Sequence, residues 1–245
     1  MSFYTTVAGR FVNEKRLDII ANNIANATTA GYKAVKPVFG MATAPASNEA
    51  ASGTNQMKNA YVGLYDTFID FSDAAVVDSG ATFDMAIIGK GFFVIQGENG
   101  AMYTRDGQFT INSSGGLVTM NGDPVLGKNG EIKLSVKDGK DIRIEQDGTI
   151  YLGKDSIDTI KVVDFENKRA LQPVGKNLYV LADQNEPETT PDWYSVRQGS
   201  YESSNVNVFQ EMVQMIHAMR AYECYTKVEQ MFSDINGKLV DLGKF

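Results

Sequence analysis

The chain has 245 residues, enough for one or two domains with a real core, and its 43% hydrophobic and 22% charged residues are those of a soluble protein. A net charge of −7 argues against a nucleic-acid partner, and a single cysteine, Cys224, excludes an intrachain disulfide or a thiolate metal cluster. No stretch approaches the ~18 apolar residues of a membrane span, so no stable membrane insertion is expected. The opening Met1-Ser2-Phe3-Tyr4-Thr5-Thr6 has neither an apolar core nor a small-residue cleavage site. That fits a cytoplasmic protein, or one exported without a cleaved signal. The acid excess belongs to the middle. Residues 1–33 carry Arg10, Lys15, Arg16 and Lys33 against Glu14 and Asp18, and residues 205–245 are nearly balanced.

Residues 3–26 are predicted to be a helix. Tyr4, Val7, Ala8 and Phe11 share one face, and Leu17, Ile20, Ala21 and Ile24 resume it after a drift around the axis. Asn22, Asn23 and Asn26 weaken the helix end, and Thr28-Thr29-Ala30-Gly31 closes it. Residues 40–60, small and polar, read as a weakly structured connector, followed by strand character over Tyr61–Phe71.

From Phe83 onward the texture is β. Short apolar runs such as Phe92–Ile95, Ile142/Ile144 and Ile160–Val163 are separated by turn pairs. These are Asn99-Gly100, Asp106-Gly107, Gly115-Gly116, Asn121-Gly122, Asn129-Gly130, Asp138-Gly139 and Asp147-Gly148. Glycine accepts positive φ at low cost, so each is a hairpin signal, and the series predicts an antiparallel sandwich or barrel-like domain.

The final segment is helical again. Phe209, Met212, Ile216 and Met219 fall three and four apart, and the stripe resumes at Val228, Met231, Ile235, Leu239 and Leu242. That is a helix of up to about 40 residues, roughly 60 Å long at 1.5 Å per residue, with Asn207 placed to cap it. The expected class is therefore α+β. Long N- and C-terminal helices pair in a coiled-coil-like way, and an all-β domain is inserted between them. The expected divisions are a first helix over 1–30, a partly extended connector over 31–78, the β domain over 79–200 and the second helix over 201–245. A two-helix pair leaves apolar surface on its outer sides, which drives it toward further copies.

Three motifs carry a resemblance. Residues 17–33, Leu-Asp-Ile-Ile-Ala-Asn-Asn-Ile-Ala-Asn-Ala-Thr-Thr-Ala-Gly-Tyr-Lys, closely resemble the N-terminal signature of bacterial flagellar rod and hook proteins. Glu202-Ser203-Ser204-Asn205-Val206-Asn207, then Glu211-Met212-Val213, Ile216 and Arg220-Ala221-Tyr222-Glu223, are similar to that family's C-terminal signature. Asp84–Val94 and Tyr103–Phe109 are similar to its rod-type core segment. The resemblance implies a structural, self-assembling axial subunit of the basal-body rod, which transmits torque and walls the export channel. Its partners would be other copies, neighbouring rod proteins and, during secretion, the flagellar export apparatus. It would lie in the periplasm-spanning rod, exported without signal cleavage. Length and β core look most like a proximal rod subunit, with the distal kind second and hook protein less so. Asp73-Ala74 departs from the family's Gln-Gly-like pair, and Tyr32 from its commoner Phe. The assembly interface expected on the family's pattern combines Tyr4, Val7, Phe11, Leu17, Ile20, Ile24, Phe209, Met212, Ile216, Met219, Val228, Met231, Ile235 and Leu239 with Asn22, Asn23, Asn26, Asn205, Val206, Arg220, Tyr222 and Glu223.

No cofactor, metal or catalytic residue is expected. His217 is the only histidine, and one histidine makes neither a metal site nor a triad. Gly89-Lys90-Gly91 lacks phosphate-loop spacing and is followed by a strand, so it reads as a turn. Asp66, Asp70, Asp73, Asp78 and Asp84 lack calcium-loop spacing and read as a solvated face. Cys224 reads as a small buried hydrophobe. Two other classes remain open at this point. One is a wall-acting or carbohydrate-binding β-domain enzyme, for which no carboxylate pair stands out. The other is a lipid-lying helix, against which the lack of a basic face argues.

Overall fold

The computed structural model describes residues 3–43, 60–98, 100–134, 142–182 and 186–242. In chain order these form α1 (Phe3–Ala25), β1 (Val35–Thr43), β2 (Ala60–Ile69), β3 (Val76–Asp78), β4 (Met85–Gly89), β5 (Phe92–Gly97) and β6 (Gly100–Thr104). There follow β7 (Phe109–Ile111), β8 (Leu117–Thr119), β9 (Leu126–Gly127), β10 (Gly130–Glu131), β11 (Ile142–Ile144), β12 (Thr149–Leu152) and β13 (Asp155–Thr159). Last come β14 (Val162–Val163), β15 (Leu171–Gly175), β16 (Leu178–Leu181), β17 (Tyr194–Gln198), β18 (Ser200–Glu202) and α2 (Val208–Leu242). The chain is α+β and falls into two compact units.

The first unit comprises residues 1–25, 35–70 and 207–245: both helices and the β1–β2 hairpin. The hairpin is antiparallel, with a bulge between Val38 and Phe39. The expected connector over 40–60 falls mostly outside the described residues, but its flanks pair with each other as far as Thr43 opposite Ala60. Asn207 starts α2 as expected: its side-chain oxygen accepts from the Gln210 backbone N–H at 3.1 Å. α1 and α2 approach closely because Gly9 has no side chain. A Cβ there would stand 2.5 Å from a ring carbon of Tyr225. Beside this contact Arg10 Nε lies 3.0 Å from a Glu229 carboxylate oxygen.

The second unit comprises residues 26–34 and 71–206. Its largest sheet is five-stranded and antiparallel, in the order β14-β5-β6-β16-β15, and two- and three-stranded sheets surround it. No sheet closes into a barrel among the described residues. β5 explains its own unbroken apolar run. Phe93 and Ile95 enter the main core with Met85, Ile87, Leu117 and Ile150. Phe92, on the opposite side of the strand, meets the rings of Phe71, Phe165 and Tyr179. A strand covered on both faces loses the alternation of a half-exposed one.

The turn pairs behave mostly as the sequence suggests. Gly115-Gly116 joins β7 to β8, Asn129-Gly130 joins β9 to β10, and Asp147-Gly148 joins β11 to β12. Asn121-Gly122 turns the chain after β8, with the Gly122 N–H donating to Thr119 O. Asp106-Gly107 is different. Gly107 does not have positive φ; it is a point of close approach, where a Cβ would fall 1.6 Å from the Met85 carbonyl oxygen. Residues 99 and 138–139 of the remaining two pairs lie outside the described residues.

Candidate assembly interface

An apolar stripe on a helix can be a core or a docking face, and the two differ in what covers it. On α2 the side turned to α1 is built from Ala218, Tyr222, Tyr225 and Glu229, with Ala218 wholly buried. The stripe read from the sequence lies elsewhere. At ~100° per residue, Phe209, Met212 and Ile216 stand roughly opposite that side and Met219 flanks it. Phe209 is 83% exposed and Ile216 50% exposed. Further along, Met231, Ile235 and Leu239 are exposed as well. The pairing of the two helices therefore leaves this stripe uncovered. α1 is met by alanine, two tyrosines and an ion-paired glutamate, and the greasier side is left bare. Cys224 is exposed rather than buried, because it too falls away from α1.

The residues singled out in α1 divide differently. Ile20 is 2% exposed and Asn23 is buried. Val7, Leu17 and Ile24 are half-buried, and Phe11 and Asn22 are exposed. Tyr4 lies in α1, its side chain outside the described set. On the C-terminal side Val206, Tyr222 and Val228 are half-buried, and Arg220 and Glu223 are exposed.

The asparagines hold backbone. Asn23 Nδ2 donates to Val35 O at 2.9 Å, and its Oδ1 accepts from Val35 N at 3.0 Å. Glu211 in the first turn of α2 also meets Asn23; burial raises its pKa, and the Asn23 hydrogen bond and the charges of Lys36 and Arg16 pull it back. Asn205, in the second unit, accepts from Ala34 N at 2.8 Å and donates to Ser72 O at 3.3 Å. Asn26 O accepts the Thr29 N–H and begins a turn. Asn23 and Asn205 thus each satisfy main-chain groups of their own chain, the energetic need of buried backbone.

The remaining chemistry is ordinary. The aspartates do not form one solvated face. Asp70 pairs with Lys36, Asp78 with Arg197 and Ser200, and Asp84 is buried and accepts from Ser79 Oγ. A groove of about 880 Å³ on the β unit is lined by Met102, Tyr103, Leu178, Glu98, Asp123 and Glu188, among others. Its best-placed carboxylate is already engaged. Glu188 accepts from the Tyr103 hydroxyl at 2.8 Å and pairs with Lys161 at 2.6 Å. Burial and that glutamate push the Tyr103 phenol upward. Each of its two oxygens thus already has a partner.

The geometry is that of a structural subunit with a bare helical side. Comparison with known proteins agrees. The chain matches the families described as "Flagella basal body rod protein" over residues 12–33, "Flagellar hook protein FlgE/F/G D1 domain" over 86–152 and "Flagellar basal body rod FlgEFG protein C-terminal" over 197–242. It is 31% identical to the flagellar basal-body rod protein FlgF of Caulobacter vibrioides, over 99% of this chain and 98% of that one. It is 30% identical to the rod protein FlgG of Bacillus subtilis over 98% of both chains. With FlgG of Buchnera aphidicola subsp. Baizongia pistaciae it shares 35% identity over 86% of this chain and 88% of the relative. The chain belongs to the flagellar basal-body rod protein family. It is a structural axial subunit of the rod, located in the flagellar basal body, and not an enzyme.

Proposed function

We propose that the bare side of α2, with the exposed part of α1, is where copies of this chain and its axial neighbours meet. The observation that carries this is the run Phe209, Met212, Ile216 and Met219, exposed on α2 away from its contact with α1. Bringing each half-exposed Ile or Met out of water contributes about 1 kcal/mol, and a few such residues per contact, repeated through a polymer, make association favourable. A contact between two different faces does not close on itself, so it propagates as a helical tube with coiled-coil-like packing at its centre. In that tube the paired helices wall the channel and pass torque. Asn22, Asn26, Arg220 and Glu223 are the polar groups placed to fix register between subunits. The chain reaches this position through the flagellar export apparatus.

Among rod subunits the proximal, FlgF-like kind is favoured. The alignment to FlgF of Caulobacter vibrioides runs over 247 residues, almost this chain's own length, whereas that to FlgG of Bacillus subtilis stretches to 262. The distal kind is the alternative. Gold labelling of isolated basal bodies tests both. Label on the membrane-proximal rod is expected; label on the distal rod selects the alternative, and a rod without label rejects both.

A further inference from the structure

Residues 26–34, which include the last eight residues of the N-terminal signature, belong to the β unit and not to the helix that precedes them. Their anchor is a buried group of charges. Lys33 Nζ donates to Glu202 Oε1 at 2.6 Å and to Ser72 O at 2.7 Å. Arg105 donates to the other oxygen, Glu202 Oε2, at 3.1 Å, and to the carbonyls of Gly89 and Ile87. Lys33, Arg105 and Glu202 are all essentially inaccessible to water. Two cations thus share one buried carboxylate; the next nearest acid, Asp73, is 3.9 Å from Arg105 and exposed. Burial lowers the Lys33 pKa and Glu202 opposes that shift. Without Glu202 both cations would stand in low dielectric with carbonyls and one distant, exposed carboxylate for partners.

The same short segment is gripped by main-chain contacts. The Gly31 N–H donates to Glu202 O at 2.7 Å, and the Asn205 N–H donates to Tyr32 O. Asn205 Oδ1 accepts from Ala34 N, and Asn177 Nδ2 donates to Ala30 O. Gly31 has φ +65, and a Cβ on it would fall 2.2 Å from Asp106 N, so the segment lies directly on the backbone of the 105–106 loop. Glu202 and Asn205 also reach the segment between β2 and β3: Ala74 N donates to Glu202 Oε1, and Asn205 Nδ2 to Ser72. Three stretches far apart in sequence, 30–34, 72–74 and 202–205, are therefore fastened by one glutamate and one asparagine.

We propose that Glu202, Lys33, Arg105 and Asn205 form a latch, through which residues 26–34 become ordered on the β unit only when residues 202–205 have returned to it. The two ends of the chain are then set together, with neither fixed before the other. The latch belongs to a single chain in solution, so its test does not depend on polymer formation. Hydrogen exchange by mass spectrometry on the full-length monomer reads it. Asn205→Ala and Glu202→Gln should each accelerate exchange over residues 29–35 about tenfold or more, and leave Phe92–Gly97 in the central sheet protected. Gly31→Ala, which adds only a methyl group, should release 202–205 in return. Unchanged exchange over 29–35 in both Asn205→Ala and Glu202→Gln overturns the latch. Equal loss of protection at 29–35 and 92–97 also overturns it, since the cluster would then be part of one common core. Should Glu202→Gln fail to fold, Asn205→Ala, which removes no charge, decides between these outcomes.

Discussion

Asp106 sits in the loop after β6, half-buried, with its carboxylate accepting from Gln108 N at 3.0 Å. Burial, and to a lesser extent the neighbouring Asp84 carboxylate, raise its pKa from 3.8 to about 6, against the downward pull of the Gln108 hydrogen bond. The folded protein therefore holds a proton at pH values where the unfolded chain has released it. Stability falls as pH rises from about 4 to about 6, and above that the full cost persists. A shift of about two pKa units corresponds to about 3 kcal/mol at neutral pH. Asp106→Asn keeps an oxygen for the Gln108 N–H and removes the charge. It should stabilise the β unit at pH 7 by about 1–3 kcal/mol, and the gain should vanish at pH 4. The only tryptophan, Trp193, belongs to that unit, so urea unfolding followed by its fluorescence reports the quantity directly. An Asp106→Asn protein no more stable than wild type at pH 7, or a gain equally large at pH 4, refutes the reasoning.

Three other outcomes follow from the packing. Deleting residues 1–25 should leave the Trp193 unfolding transition of the β unit intact, whereas deleting 1–34 should lower its stability by about 3–5 kcal/mol, because the buried side chains of Ala30, Tyr32 and Lys33 are removed from it. Gly107→Ala, whose methyl group would collide with the Met85 carbonyl, should cost more than about 3 kcal/mol or abolish folding, measured by the same transition. Phe93→Ala should cost about 3–5 kcal/mol, as expected for a fully buried ring packed against Phe109.

Much of this architecture was legible in the sequence, for identifiable reasons. Spacings of three and four placed both helices to within a few residues, and α1 ends at Ala25 where asparagines begin to compete for backbone. The Gly-containing pairs marked real turns wherever glycine was needed for its backbone. Asp106-Gly107 misled because there glycine serves close packing, which leaves no local trace. The direction of the α2 stripe could not be read. Periodicity finds the greasiest side, but α1 packs on Ala218, Tyr222, Tyr225 and Glu229, a side whose fit depends on Gly9 and on the Arg10 ion pair. The latch was harder still. Lys33, Arg105 and Glu202 all lie within the three signature motifs, yet nothing in one sequence pairs charges separated by up to 169 positions. The opposite signs of Lys33, which closes the first motif, and Glu202, which opens the last, were the only available signal.

The account rests on the bare side of α2 being an interface. Ile216→Asp tests that most directly. Ile216 is half exposed in the monomer, so the substitution should change monomer stability by no more than about 0.5 kcal/mol. Buried between subunits, the unpaired carboxylate should cost about 3–5 kcal/mol per contact. Ile20→Asp is no substitute, because Ile20 is already buried and the chain itself would suffer. The account predicts that Ile216→Asp protein is folded, is produced at wild-type levels and is absent from isolated basal bodies. Its recovery in rods at the wild-type level would contradict the account.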